Sequence, residues 1–201
     1  MARIKHTKGE LKAQRDALRR FERYLPTLQL KKQQLQLEVR SAEAQLDERR
    51  RAAAALGEEL RAWRRLFAEP FDFARHLRLA AVRETEGNIA GVAIPVLAEV
   101  VFERTAPDLF ATPPWVDDGL RALERTVRLS VETAVLEEQV RRLAEELRTT
   151  TQRVNLFEKV KIPETESHIR TIRTFLGDQQ TAEVARSKLV KGRSAERDRA
   201  A

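Results

Sequence analysis

The sequence predicts a mainly α protein: a long antiparallel, left-handed two-helix coiled coil with a small central head containing a short β-hairpin. Three observations point there. Apolar heptads fill both ends of the chain, aromatic and proline residues gather in the middle, and breakers are scarce, with 7 Gly and 7 Pro in 201 residues. A chain that is 42% hydrophobic and 34% charged but only 5% aromatic reads as long helices.

The first arm, residues 1–68, repeats every seven residues as Leu11, Leu18, Leu25, Lys32, Val39, Leu46, Ala53, Leu60 and Phe67. Its companion series is Gln14, Phe21, Leu28, Leu35, Ala42, Arg49, Leu56 and Trp63. A sustained 3.5-residue repeat implies a left-handed supercoil. At ~1.5 Å per residue the arm would be ~85–90 Å long. Lys32 and Arg49 interrupt the seam. Pro26 lies inside it and is expected to kink the helix rather than end it, because the heptad phase continues beyond.

The head, residues 69–116, gathers Pro70, Phe71, Phe73, Phe102, Pro107, Phe110, Pro113, Pro114 and Trp115. Segments 79–86 and 96–103 have strand character, with Gly87, Asn88 and Gly91 as turn residues between them. The second arm, residues 117–186, starts with Asp117 or Asp118 as a helix cap. Its seam runs Leu129, Leu136, Leu143, Thr150 and Phe157, beside Thr133, Val140, Leu147 and Val154. The phase then shifts near Pro163 to Ile162, Ile169 and Leu176, and Gly177 weakens the helix. Residues 187–201 form a basic tail, expected to be flexible.

Each apolar stripe needs a partner, and an antiparallel hairpin supplies one. Both termini then lie at one end. That end is basic: residues 1–32 carry 10 basic and 3 acidic groups, and residues 159–201 carry 10 and 6. The middle, residues 66–119, is acidic, with 4 basic against 9 acidic groups. Such arms suit an acidic partner.

Several function classes find no support. The absence of cysteine excludes disulfides and thiol chemistry. No apolar run is long enough to cross a membrane, and the charged start of the chain is not a secretory signal. No phosphate-binding loop is present, and His6, His76 and His168 lack metal-ligand spacing. No catalytic residue, metal or cofactor is therefore expected. The arginine runs are interleaved with Glu and Asp and accompany no nucleic-acid-binding motif, so direct nucleic-acid binding is not expected either.

Three segments carry a family resemblance. The first is His6-Thr7-Lys8-Gly9-Glu10-Leu11, followed by Tyr24-Leu25 and the leucines from Leu28 to Leu35 around Lys31-Lys32. The second is Gln152-Arg153-Val154-Asn155-Leu156-Phe157-Glu158, then Val160 and Ile162-Pro163. The third is Gly91-Val92-Ala93-Ile94-Pro95-Val96. Together they resemble the D subunit of V/A-type rotary ATPases, whose pattern has Ala where this chain has Leu156. The matched motif residues are Thr7, Lys8, Arg153, Val154, Asn155, Glu158, Ile162 and Pro163.

The resemblance implies a non-catalytic rotor shaft in the cytoplasmic, peripheral sector of such an enzyme. Its basic tip would enter the hexamer of A and B subunits. Its other end, with the small F subunit, would couple to the membrane rotor through the d (or C) subunit. Candidate tip contacts are Lys5, Lys8, Lys12, Arg15, Arg170, Arg173, Lys188 and Lys191. The alternative is a generic coiled-coil tether or a chaperone-like hairpin protein.

Overall fold

The structure is a computed structural model that describes residues 4–108 and 110–200, with side chains described as far as Ser194. Helix α1 spans Lys8–Arg61. After a 3-10 turn at Leu66–Ala68 come the short helix α2 (Phe73–His76) and strands β1 (Leu77–Ile89) and β2 (Val92–Arg104). Helix α3 covers Val116–Leu156, a π-helical turn covers Phe157–Lys161, and α4 covers Ile162–Ala200. The chain forms two compact units. Unit 1 combines Met1–Leu30 with Thr150–Ala201, and unit 2 is Lys31–Thr149. The predicted fold class is the observed one.

In unit 2, α1 and α3 pair through the predicted seam. Leu35, Val39, Ala42 and Leu143 are buried together, with Val140 and Leu147 packed against them. Arg49, an apparent flaw in the heptads, stays exposed and reaches Glu132 at 3.2 Å. Lys31 and Glu146 pair at 2.6 Å, and Arg50 and Glu137 at 2.8 Å. The helix ends earlier than the heptads suggest. Arg61 is its last residue, and Trp63 and Phe67 fall in turns whose N–H to carbonyl bonds span three residues.

The strands are longer than the 79–86 and 96–103 expected. They form one antiparallel pair joined by a two-residue turn, Ala90 and Gly91, both with positive φ. Two left-handed residues make the primed turn whose twist suits a hairpin. The Asn88 side chain accepts the Gly91 N–H at 3.0 Å. The register steps twice. Ala80 is an extra residue on β1 and Ala98 one on β2, so the two bulges cancel.

The hairpin is laid along the helices. At its base, Leu77 is buried with Val116 and Leu120 among Phe71, Phe73, Phe102 and Trp115. Near its tip, Ile94 is only 3% exposed and joins Leu35, Val39, Ala42 and Leu143. The head expected at the far end of the coil is thus anchored there only by its base. Gly119 permits the base to close: a Cβ there would meet the Trp115 ring at 3.1 Å. Asp117 and Asp118 lie in the first turn of α3 rather than at its cap. Carboxylates are favoured there by the helix dipole, and Asp117 also binds Arg104 at 2.7 Å and Arg121 at 2.8 Å.

In unit 1, α1 runs past Pro26 as a single helix. Leu11, Leu18, Phe21, Leu25 and Leu28 are half-buried on one face. Opposite them, Val154, Thr165 and Ile172 are buried. The segment expected as a flexible tail is helical from Ser187 to Ala200, as its Ala, Glu, Lys and Arg content favours; Ala201 lies outside the described residues.

Candidate partner-binding surface

The basic end of unit 1 starts with a capped helix. Thr7 Oγ1 accepts the Glu10 N–H at 3.2 Å, and the Leu11 N–H bonds the Thr7 carbonyl at 3.0 Å. Thr7 and Glu10 have the spacing of a capping box, so this motif residue has a local structural task. Just ahead of the cap, the His6 ring lies 4.7 Å from that of Phe175. That contact brings the start of the chain against α4, so Lys5, Lys8, Lys12 and Arg15 share one end with Arg170 and Arg173. All six are exposed. Arg170 and Arg173 line a shallow groove with Leu18, Glu166 and Ile169.

Lys188 and Lys191 are also exposed but lie further along α4, past the start of α1. Around them Val184, Leu189 and Val190 are more than half exposed. Among the described residues, none of the eight predicted tip cations is engaged in an ion pair. Their charge stays available to a partner. His6 is taken up by Phe175, and no group of three or more metal-ligating side chains occurs among the described residues. No helix among them is long and apolar enough to cross a membrane.

The second motif segment behaves differently. Val154 is 3% exposed, while Arg153, Asn155, Glu158 and Pro163 are exposed and Ile162 is half-buried. Glu158 lies inside the π-turn and Ile162-Pro163 directly follow it. Glu158, with Ile162 and Pro163 just after it, therefore marks an irregular piece of backbone, whereas Arg153 and Asn155 mark a surface.

Unit 2 holds an arrangement that the sequence did not announce. Glu138 accepts bonds from Arg141 at 2.7 Å and Arg142 at 2.6 Å. These two guanidinium groups hold its carboxyl well below the usual range, at about 2. Arg142, so oriented, donates to the Ala93 carbonyl at 3.2 Å, and the neighbouring Gln139 amide donates to the Pro95 carbonyl at 2.6 Å. Neighbouring side chains of α3 thus fasten the hairpin near its tip. Since the Pro95 carbonyl points to α3, its nitrogen also points away from β1, where a missing N–H breaks no ladder bond. Only contact between segments more than forty residues apart in the chain reveals this; no local signal in the sequence could.

Fold and surface define a helical-hairpin coiled-coil protein, with a basic, unpaired end in unit 1 and a β-hairpin strapped to the helices of unit 2. The particular family follows from comparison with known proteins. The family model described as the ATP synthase D subunit matches residues 10–192. The V-type ATP synthase D subunit of Borreliella burgdorferi is 44% identical over 191 residues, covering 95% of each chain. That of Chlamydia caviae is 35% identical over 193 residues, covering 94% of this chain and 93% of its own. That of Chlamydia pneumoniae is 35% identical over 191 residues, covering 94% and 91%. The chain belongs to the family of V-type ATP synthase D subunits.

Proposed function

We propose that the chain is the central rotor shaft of a V/A-type rotary ATPase. It carries torque between the hexamer of A and B subunits and the membrane ion-translocating rotor, coupling ATP synthesis or hydrolysis to ion transport. Its partners are the A, B, F and d (or C) subunits, in the cytoplasmic, peripheral sector of the enzyme. The chain does no chemistry itself.

The observation that best supports this is the end of unit 1. There a two-helix coil presents Lys5, Lys8, Lys12, Arg15, Arg170 and Arg173, all exposed and none held in an ion pair among the described residues. A turning shaft must make and release contacts around its axis. Long, solvated cations do this at little cost, because exposed ion pairs are each worth only ~0–1 kcal/mol. Lys188 and Lys191 extend the same surface along α4.

Co-expression with the A, B and F subunits, followed by native mass spectrometry, tests the proposal. The expected particle has one copy of this chain with three A and three B subunits. A free homodimer that never joins the hexamer would overturn the shaft reading in favour of a coiled-coil tether.

A further inference from the structure

Unit 1 contains two irregular stretches, one on each helix, that meet end to end across the seam. On α1, Pro26 has no N–H to give and leaves the carbonyl of Glu22 without its helix donor. Across the seam, the Phe21 and Phe157 rings meet with centroids 5.2 Å apart. Phe157 opens the π-turn, and Pro163 follows two residues after that turn ends. The Phe21–Phe157 contact therefore puts the Glu22 carbonyl beside a second interrupted ladder.

The π-turn has an identifiable cause. Leu143, Thr150 and Phe157 follow each other at intervals of seven, and so do Val140, Leu147 and Val154. Continued, these series would reach Glu164 and Lys161. The residues that in fact turn inward are Thr165, which is buried beside an exposed Glu164, and Ile162, Ile169 and Ile172. Both series have slipped by one residue, while the seam of α1 keeps its step from Leu11 to Leu28. A π-turn takes up one extra residue: the Ile162 N–H reaches back five residues to the Phe157 carbonyl. The seam then stays facing α1.

The two prolines also share a side-chain device. Thr27 Oγ1 donates to the Tyr24 carbonyl at 2.7 Å, and Thr165 Oγ1 donates to the Lys161 carbonyl at 2.6 Å. Each hydroxyl binds the carbonyl two residues before a proline, a bond that favours helix bending. Leu156, Val160 and Tyr24 remain over 40% exposed along this stretch, so little packing stiffens it.

We propose that this stretch, Glu22–Thr27 on one side of the Phe21–Phe157 contact and Phe157–Thr165 on the other, is a compliant joint in the two-helix coil. It bends and twists where the surrounding coil does not, because the ladder of α1 is interrupted on one side of the Phe21–Phe157 contact and that of α3 and α4 on the other, so neither helix is regular throughout the stretch. The inference concerns the coil itself and stands whether or not the chain turns in a rotary enzyme.

Hydrogen exchange of the full chain, read by mass spectrometry, tests it. Amides in 22–27 and 157–165 are expected to exchange at least tenfold faster than those in 35–46 and 140–147. Deletion of Lys159, whose side chain is exposed, should remove the extra residue, convert the π-turn to α-helix and slow exchange at 157–165 at least tenfold. Thr165 and Ile172 would keep their places. Pro163→Ala should leave the fast exchange of the π-turn, since the extra residue imposes it. Equal protection of the two regions in the unaltered chain would overturn the proposal. So would a Lys159 deletion that lowers Tm and loosens the seam, or a Pro163→Ala change that alone restores slow exchange.

Discussion

Unit 1 and unit 2 hold an antiparallel helix pair together by different means. In unit 2 the seam of α1 and α3 is sealed by a third element, the hairpin, whose Ile94 closes over Leu35, Val39, Ala42 and Leu143. Arg49–Glu132, Arg50–Glu137 and Lys31–Glu146 flank it. In unit 1 two helices face each other alone, and much of the seam of α1 is only half-buried. A two-helix pair encloses only part of its contact stripe, here Val154, Thr165 and Ile172. A third layer makes a core; its absence leaves a surface.

Substitutions should separate the two regimes. The largest effect is expected for Leu143→Ala, which hollows the enclosed cluster and should cost about 3–5 kcal/mol in urea unfolding. Ile172→Ala, equally buried but in the open pair, should cost about 2–3 kcal/mol because its surroundings can close up. Equal costs would remove the distinction. Ile94→Ala comes next, at about 2–3 kcal/mol, with faster hydrogen exchange at residues 89–94 as the tip lifts. Smaller and opposite in sign are two glycine changes. Gly177→Ala, with nothing near its missing Cβ, should raise stability by about 0.5–1 kcal/mol. Gly91→Ala, at φ +80°, should lower it by a similar amount.

The smallest effect concerns pH. The Glu138 pKa is lower in the folded chain than in the unfolded one, so its contribution is complete above its ordinary value of 4.5. It fades as pH falls towards about 2. Acid titration of the hairpin, followed by exchange at residues 92–95, should show this loss. Glu138→Gln should flatten that part of the profile, leaving the tip less protected at neutral pH.

What could be read from the sequence was whatever repeats locally. Heptads on Leu11 to Leu60 report helix pairing because each residue's face depends on its neighbours three and four away. The candidate cations of the tip were chosen by charge and by the pairing that brings both termini to one end; all eight are exposed. The strands were legible only in part. The parts beside the turn, 87–89 and 92–95, were missed because Gly87, Asn88, Gly91 and Pro95 read as turn residues, although these parts continue the ladder. The phase shift was visible and was placed near Pro163, but no cause for it could be read from the sequence. The structure places the extra residue in the turn before that proline. The grip of Gln139 and Arg142 on Pro95 and Ala93 depends on tertiary approach alone and had no trace in the sequence.

The bulged hairpin also bears on how the protein behaves when crowded. A two-stranded ribbon has two raw margins able to recruit strands from other molecules. Here the Ala93 and Pro95 carbonyls on one margin are already engaged by α3. The irregular register and the charged side chains of Arg83, Glu84, Glu86 and Glu99 make the ribbon a poor template for stacking. The β2 margin is thus poorly suited to recruiting a strand from a second molecule.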